Sequence, residues 1–433
     1  MRDDHDNAFE MAASAVRFGA GVTREVGVDC ADRGLRRVMV VTDPVIGRLP
    51  PAQTVLESLE INGIEAVVYD RVRIEPSDAS FADAIDTARR ESCDGFIAVG
   101  GGSVIDTAKA ANLYTTHPPR DFLDYVNAPI GLGVPVPGPL KPLFAIPTTA
   151  GTGSETTGVA IFDLASRKVK TGISSRWLKP TLGYLDPDHI QTLPPTVAAS
   201  AGLDVLCHAV ESFTVLPFTE RPRPARPSAR PSYQGSNPVS DVWSLQALRM
   251  VAAYLIRLVR DPSDADARSQ MLLAASFAGI GFGSAGVHLP HAMAYPVAGG
   301  VKRYCPPGYP ADHPLVPHGF SVIVNAPAVF RFTASANPER HLVAAEALGA
   351  DIRSAGASAP AKESAADAGR ILADRITWFM EQLDAPIGLR ALGYSSSDIP
   401  ALVEGTLAQE RLTKLSPRPI NPDGLARLFE DAM

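Results

Sequence analysis

The first half of the chain alternates short apolar runs with stretches of helical periodicity. The predicted strands cover residues 37–42, 66–69, 95–99 and 143–146, and the predicted helices cover residues 51–62, 81–90 and 104–112. Continuous apolar runs of this length, rich in valine and isoleucine, are typical of strands buried on both faces. Because strand and helix alternate, the pattern predicts a parallel α/β sheet with right-handed crossovers.

The pattern changes near residue 196. Long amphipathic stretches rich in alanine and leucine follow at Val197–Phe213, Pro238–Val259, Ala265–Phe282 and Ser364–Leu383. Strand patterns become rare, which predicts a helical second domain. We therefore expect an α/β domain over residues 1–195 and an all-helical domain over residues 196–433.

Two proline-rich segments, residues 131–142 and 217–231, are predicted to be surface loops or extended arms. The second segment carries four arginines. A solvated insertion is the favoured interpretation of this arm, and a peptide-ligand role is the alternative.

Composition excludes several classes of protein. The chain has 433 residues and a net charge of −7, which argues against a nucleic-acid or membrane-surface partner. No apolar run reaches the length of a membrane span, and the N-terminus lacks the features of a signal or transit peptide. The four cysteines show no CxxC spacing, as expected of reduced thiols. These features predict a cytoplasmic protein, or a mitochondrial one if the chain is a processed eukaryotic form.

Gly100, Gly101, Gly102 and Ser103 join a predicted buried strand to a predicted helix. Backbone without Cβ atoms can approach a phosphate closely, and a helix N-terminus offers amide donors. The loop therefore suits a pyrophosphate, although it lacks the G-x-G-x-x-G fingerprint. A plain tight turn is the alternative.

A second polar loop follows the strand that ends at Ile146. Thr148, Thr149 and Thr152 lie among glycines there, and such a loop can line a nucleotide site or simply cap a helix. Two such loops at the carboxyl ends of parallel strands favour ligand binding. Asp43 ends another strand, where an acid binds ribose hydroxyls or caps the next helix.

Candidate metal ligands lie in the second half. Asp204 and His208 stand four residues apart on a predicted helix and so share a face. A carboxylate and an imidazole suit Fe²⁺ or Zn²⁺, but a hydrogen-bonded core pair is the simpler explanation of an isolated pair. Further histidines at positions 288, 291, 313 and 318 could complete a four-ligand site.

Together these residues resemble the iron-containing alcohol dehydrogenases along the whole chain. The resemblance is carried by Gly100–Ser103 with Asp106 and Lys109, Pro147-Thr148-Thr149 with Gly151-Thr152, Leu185-Asp186-Pro187, Gly202-x-Asp204-x-x-x-His208-Ala209-x-Glu211, His291-Ala292-Met293 and His318-Gly319. It implies an N-terminal dinucleotide-binding domain and an all-α C-terminal domain, as in the dehydroquinate synthase-like fold, with the active site in the cleft between them.

The resemblance also implies cofactors and a homo-oligomer, expected to be a dimer. The residues expected around NAD are Asp43, Gly101, Gly102, Ser103, Asp106, Thr148, Thr149, Thr152 and Lys170, and those expected to hold a divalent metal are Asp204, His208, His291 and His318. Fe²⁺ is favoured for the metal and Zn²⁺ is the alternative.

More narrowly, the chain looks like the hydroxyacid-oxoacid transhydrogenase branch. The stretches that carry this are residues 122–131, 153–163, 235–238 and 312–319, together with the proline-rich arm. Members of the branch oxidise 4-hydroxybutyrate to succinate semialdehyde and reduce 2-oxoglutarate to 2-hydroxyglutarate. Because both substrates are carboxylates, a cation should face the site, and Lys302 and Arg303 are the candidates, with a solvated loop as the alternative.

One position departs from the wider family. Tyr295 stands where a histidine usually follows the third ligand by four residues. Tyr295, His288 or a water could carry the proton in its place. The alternatives to a transhydrogenase are an alcohol dehydrogenase that uses free NAD, a dehydroquinate synthase-like lyase and a non-catalytic metal-binding protein.

Overall fold

The computed structural model describes residues 4–167, 169–309, 313–352 and 361–433, with only the backbone for residues 361–365. The chain divides into two compact units. One is Ala13–Leu193 and the other joins the segment ending at Ala12 to Pro194–Met433. The division lies close to the boundary expected from sequence, but the N-terminal segment was expected in the α/β domain and instead groups with the helical unit.

In the described part of the first unit, six strands form a parallel sheet in the order β1-β8-β5-β4-β2-β3. The strands are β1 Ala15–Phe18, β2 Arg37–Val41, β3 Glu65–Tyr69, β4 Gly95–Gly100, β5 Leu143–Pro147 and β8 Leu182–Leu185. A separate antiparallel ladder pairs β6 Val159–Leu164 with β7 Val169–Ser174. The parallel sheet predicted from the alternating pattern is therefore confirmed.

The first unit also contains α1 Val26–Asp32, α2 Pro50–Ile61, α3 Asp78–Glu91 and α4 Gly102–Thr116. Separate apolar clusters cover the sheet, with Phe96 and Ala98 in one and Ile97 and Val99 in the other. Because successive residues of a strand point to opposite faces, β4 is buried on both sides. This burial explains why its sequence is continuously apolar.

The second unit is built from helices in the residues that the structure describes. They are α5 Pro195–Thr214, α6 Pro238–Arg260, α7 Ala265–Ala285, α8 Leu289–Gly299, α9 His318–Ile323, α10 Ala326–Thr333, α11 Pro338–Ala347, α12 Ala361–Gln382, α13 Ile399–Leu407, α14 Glu410–Thr413 and α15 Pro422–Asp431. Helix α5 is buried along nearly its whole length. The predicted all-helical character of this half is confirmed.

One helix in the described chain, α6, is long and apolar enough to cross a membrane. Helices α7 and α8 are so only if they are taken together as one segment bent by 105°. Length and composition alone support this, and long helices in the core of a soluble protein share both properties. Of the apolar 18-residue stretch of α6, 39% is buried inside the protein.

The proline-rich arm is held by the N-terminal segment. Asp6 is 2% exposed, and its carboxylate accepts hydrogen bonds from Arg221 and Arg230 of the arm. Two main-chain hydrogen bonds, Asp6 N–H to Arg221 and Arg223 N–H to Asp4, run beside them. The arm is thus pinned through a buried carboxylate rather than fully solvated, which modifies the interpretation favoured from sequence.

Candidate metal and nucleotide sites

Helix α5 presents Asp204 and His208 on one face, as their spacing predicts. Both are almost fully buried, and His208 Nδ1 lies 3.6 Å from Asp204 Oδ2. The ring of Phe282 stacks on His208 with centroids 4.0 Å apart and an interplanar angle of 7°. This stacking fixes the orientation of the imidazole.

His291 and His318 reach the same point from two other helices. His291 lies in the first turn of α8, and its Nε2 is 3.5 Å from Asp204 Oδ1. His318 begins α9, and its Nε2 is 3.8 Å from the same oxygen. One ligand atom from each of the four residues lies within 4.8 Å of the others. The structure therefore brings together the whole predicted set.

The donor atoms of this cluster fit a divalent metal ion. Asp204 Oδ1, His208 Nδ1 and His291 Nε2 are buried and have no hydrogen-bond partner among the described residues. Buried polar atoms are rarely left without partners. A carboxylate and three imidazoles are the ligand types that Fe²⁺ and Zn²⁺ accept. A shared cation would satisfy all three atoms at once.

Glu211 lies on α5 one turn after His208 and orients a ligand of the cluster, His291. Its Oε1 lies 2.5 Å from His291 Nδ1, and its Oε2 accepts a 2.6 Å hydrogen bond from the main-chain N–H of His288. A metal-bound histidine usually donates its other ring N–H to a carboxylate, which sets the tautomer. With Nδ1–H directed at Glu211, the neutral form of His291 would present the lone pair of Nε2 to a metal in the cluster.

The charge states follow from burial and from the neighbouring groups. Burial alone would raise the pKa of Asp204, but the imidazoles of His208 and His318 outweigh it and hold that pKa well below its usual value. Burial lowers the pKa of His208 to about 3. For His291 burial is outweighed by Glu211 and Asp204, which raise its pKa to about 9. The cluster thus offers an ionised carboxylate and a neutral His208.

In the α/β unit, the glycine loop connects β4 to α4, with Gly101 at the N-cap of that helix. A Cβ atom on Gly102 would lie 2.7 Å from Cγ2 of Thr152, and one on Gly101 would lie 3.4 Å from Cγ2 of Thr149. The two predicted loops therefore pack against each other. The pairing of β4 with β5 extends to the start of the two loops, because the main-chain N–H of Thr148 donates to the carbonyl of Gly100.

Buried charges hold the second loop in place. Asp106 accepts hydrogen bonds from Ser154 Oγ at 2.7 Å and from the N–H of Ile161 at 2.9 Å. Lys109 Nζ donates to Ser154 Oγ and to the carbonyl of Val159, and burial lowers its pKa to about 8. These contacts fit a positioning role for Asp106, which was predicted at the cofactor.

Asp43 and Lys170 are the other predicted cofactor residues. Asp43 Oδ1 accepts hydrogen bonds from the N–H groups of Val45 and Ile46, as in the capping alternative. Lys170 Nζ pairs with Glu75 at 2.6 Å, and the N–H of Glu75 donates to Ser103 Oγ. Lys170 is therefore linked to the glycine loop through Glu75.

The two predicted catalytic side chains have defined partners. His288 is completely buried, its Nε2 lies 3.2 Å from Thr214 Oγ1, and burial lowers its pKa to about 4. Tyr295 is also buried, and its hydroxyl oxygen accepts a 2.9 Å hydrogen bond from Arg411 Nη2. No sequence signal singled out Arg411, which is 116 residues from Tyr295.

The cations proposed from sequence lie on the surface. Lys302 pairs with Asp398 at 2.7 Å with its side chain 48% exposed, and Arg303 is exposed. The suggestion that they face the site has no support in these contacts, and the alternative of a solvated loop fits them. Asp312, which opens one of the stretches of the transhydrogenase branch, lies outside the described residues. Glu211 stood in the sequence motif, but its role was not predicted.

Comparison with known proteins identifies the class. Residues 13–187 match the family described as Iron-containing alcohol dehydrogenase, and residues 232–433 match Fe-containing alcohol dehydrogenase family, C-terminal. The chain belongs to the iron-containing alcohol dehydrogenase family. Membership implies an oxidoreductase that acts on CH–OH groups of small molecules with a divalent metal and a nicotinamide cofactor.

Within the iron-containing alcohol dehydrogenase family, the chain is highly similar to proteins named as hydroxyacid-oxoacid transhydrogenases. The chain is 58% identical to "Hydroxyacid-oxoacid transhydrogenase, mitochondrial" of Bos taurus over 429 residues, 99% of this chain and 90% of that protein. The Homo sapiens protein of the same name is 57% identical with the same coverage. The "Probable hydroxyacid-oxoacid transhydrogenase, mitochondrial" of Dictyostelium discoideum is 54% identical, over 99% of this chain and 79% of that protein.

Solved structures show the same fold. A 1,3-propanediol oxidoreductase is 29% identical with a TM-score of 0.84, covering 99% of this chain and 100% of that one. An alcohol dehydrogenase from Oenococcus oeni has the same TM-score at 24% identity, covering 98% of this chain and 100% of that one, and it supports the fold alone.

Proposed function

We propose that this protein is a hydroxyacid-oxoacid transhydrogenase. The observation that carries the proposal is 58% identity, over 99% of the chain, to a protein of that name. The converging cluster of Asp204, His208, His291 and His318 agrees with it. The reaction oxidises 4-hydroxybutyrate to succinate semialdehyde and reduces 2-oxoglutarate to 2-hydroxyglutarate.

The four residues of the cluster would hold the metal, with Fe²⁺ favoured and Zn²⁺ as the alternative. A bound divalent ion supplies Lewis-acid polarisation of a substrate oxygen. Glu211 orients His291 through its ring N–H. Burial of Asp204, His208 and His291 keeps competing water away from their donor atoms.

The two packed loops would hold NAD. Gly101, Gly102 and Ser103 at the start of α4 would bind the pyrophosphate through main-chain N–H groups. Thr148, Thr149 and Thr152 would line the nicotinamide half, while Asp106 and Lys170 brace the loops. Asp43 would contact the ribose and disfavour the extra phosphate of NADP. The chemistry that bound NAD supplies is acceptance of a hydride from one substrate and its return to the other.

The proton of the substrate hydroxyl needs a path, for which Tyr295 and His288 are the candidates. His288 is neutral near pH 7 because burial lowers its pKa to about 4. Its main-chain N–H also anchors Glu211. These contacts fit a positioning role for His288 and leave Tyr295 or a water as the preferred carrier.

The decisive experiment is a nucleotide-free assay. Purified protein, loaded with Fe²⁺, is incubated with 4-hydroxybutyrate and 2-oxoglutarate without added NAD, and 2-hydroxyglutarate is measured by mass spectrometry. We expect many turnovers per molecule. An absolute requirement for excess free NAD would contradict the proposal and indicate a simple alcohol dehydrogenase.

The compartment and assembly are also proposals. The relatives are named as mitochondrial, which favours the mitochondrial alternative given from sequence over the cytoplasmic location expected first. We also propose a homodimer, which sedimentation of the purified protein would test.

A further inference from the structure

Arg411 is a half-buried cation whose contacts within the described residues are incomplete. It lies in α14, its Nη2 donates to the hydroxyl oxygen of Tyr295, and its guanidinium carbon lies 5.3 Å from the centre of the Tyr233 ring. Its Nη1 is buried and has no hydrogen-bond partner among the described residues. Within that part of the chain, no carboxylate forms an ion pair with Arg411.

The unpaired charge and the unused Nη1 donor of Arg411 favour binding of an anion. A charge removed from water is costly unless an opposite charge and hydrogen bonds compensate it. Two phenol side chains provide dipoles but no negative charge. A guanidinium presents a planar fork of donors that matches the two oxygens of a carboxylate.

The partners of Arg411 tie it to the metal cluster. Tyr295 follows His291 by four residues on α8, so the two lie on one face about 6 Å apart along the helix. Tyr233 contacts Phe282 edge to face, and Phe282 stacks on His208. Tyr295 therefore shares a helix with one cluster ligand, and Tyr233 is separated from another, His208, by the single side chain of Phe282.

We infer that Arg411, positioned by Tyr295 and Tyr233, binds the carboxylate at the far end of each substrate. This inference rests on the proposed function and names the residue that selects the substrate. In 4-hydroxybutyrate the carbinol carbon and the carboxylate carbon are separated by three C–C bonds. In 2-oxoglutarate the ketone carbon and the distal carboxylate carbon have the same separation.

A single anchor can therefore serve both half-reactions. With C–C bonds of about 1.5 Å, three bonds place the reacting oxygen and the carboxylate roughly 5 Å apart in both substrates. The tyrosine at position 295 then has a physical role, which is to orient Arg411. This role does not require the hydroxyl to transfer a proton.

The test compares 4-hydroxybutyrate with 1,4-butanediol, its neutral analogue of similar length. In Arg411→Gln we expect kcat/KM for the acid to fall about 100-fold, mainly through KM, because an ion pair to substrate is lost. For the diol, we expect a change within about threefold. Arg411→Lys should lose part of this discrimination, because it keeps the charge but not the fork.

Lys414→Gln is the matched control. Lys414 follows α14, is 71% exposed and pairs with Glu410 on the surface. The acid-to-diol ratio should be unchanged in this variant. Calorimetry with glutarate, a dicarboxylate that cannot react, provides a readout independent of turnover, and Arg411→Gln should abolish the binding seen with the unmodified protein.

An equal loss of acid and diol turnover in both Arg411 variants, with glutarate binding retained, would overturn the inference. Unchanged kinetics in Arg411→Gln would overturn it as well. If the unmodified protein fails to exchange hydride between the two acids but binds glutarate through Arg411, the proposed function fails and the anion site stands.

Discussion

The nucleotide loops and the metal cluster both contain buried polar groups, but the side chains that hold the loops are hydrogen-bonded to one another, whereas those of the cluster are not. In the α/β unit, Lys109 is hydrogen-bonded to Ser154 and Asp106 to Ile161. In the helical unit, three donor atoms of the cluster and Nη1 of Arg411 have no hydrogen-bond partner in the described chain. Unmet polar groups are costly in a folded protein. The conformation of the loops is therefore held by contacts within the protein, whereas the cluster has donor atoms that suit a bound cation.

The largest expected effect comes from removing a cluster ligand. In Asp204→Ala or His318→Ala we expect transhydrogenase activity to fall at least about 1,000-fold with metal present, because metal-assisted charge stabilisation contributes several kcal/mol. A second readout is thermal stability. In the unmodified protein, metal at about 100 times its dissociation constant should stabilise the fold by about 2.7 kcal/mol. Full activity in either variant would remove that residue from the ligand set.

The next effect concerns the support of the cluster. Glu211→Gln keeps the shape of the side chain but removes the charge that fixes the tautomer of His291. We expect metal affinity, measured by competition with a chelator, to fall roughly 10- to 100-fold. Glu404→Gln, at an exposed position, is the control. Equal affinities in the two variants would show that the Glu211–His291 contact does not tune the site.

The loops should respond more weakly, because their framework is already satisfied. In Gly102→Ala the new Cβ would lie 2.7 Å from Thr152 Cγ2, so the two loops must move apart. We expect NAD affinity, measured by fluorescence titration, to fall about tenfold, or about 1.4 kcal/mol. Gly138→Ala has open space at its Cβ and serves as the control. Unchanged affinity in Gly102→Ala would mean that the packing of the loops does not govern binding.

The helical unit also contains a buried charge that is fully hydrogen-bonded, the carboxylate of Asp6, and it can be compared with the incomplete metal cluster. Asp6→Asn removes the carboxylate that holds Arg221 and Arg230 and should destabilise the protein by about 1.5–3 kcal/mol at pH 7, as for hydrogen bonds to a charged group. Hydrogen bonding from Arg230 holds the pKa of Asp6 below its ordinary value of 3.8. A lowered folded-state pKa stabilises above the ordinary value, and that stabilisation is lost as the pH falls through the folded-state pKa.

The measurement for Asp6 is thermal unfolding of both proteins from pH 7 to pH 3. The difference between them should be constant near neutrality and shrink below about pH 4. Faster proteolysis within residues 217–231 of the variant would report release of the arm. A difference that grows on acidification contradicts this account.

The smallest effect belongs to the surface. Lys302 and Asp398 form an exposed pair, and such pairs contribute little because water and salt screen them. Lys302→Gln should change stability by less than about 0.5 kcal/mol and leave the acid-to-diol ratio unaltered. A selective loss of acid turnover in this variant would restore Lys302 as the substrate cation.

Much of the α/β unit could be predicted, because strands buried on both faces must be apolar at every position. Strands β2, β4 and β5 lie where continuous runs placed them. Edge strand β1 was missed, since its residues are mostly exposed and carry no such run. The β6–β7 ladder was also missed: β7 mixes polar and apolar positions, and β6 lies in a stretch that was interpreted only as a family motif.

In the candidate site, helical spacing alone determined that Asp204 and His208 share a face, because an α-helix repeats every 3.6 residues. The resemblance to a family added His291 and His318, which no spacing rule connects to α5. Only the tertiary structure placed Glu211 against His291 and Arg411 against Tyr295. These contacts join residues 80 and 116 positions apart, and the packing of separate helices decides them rather than any local pattern.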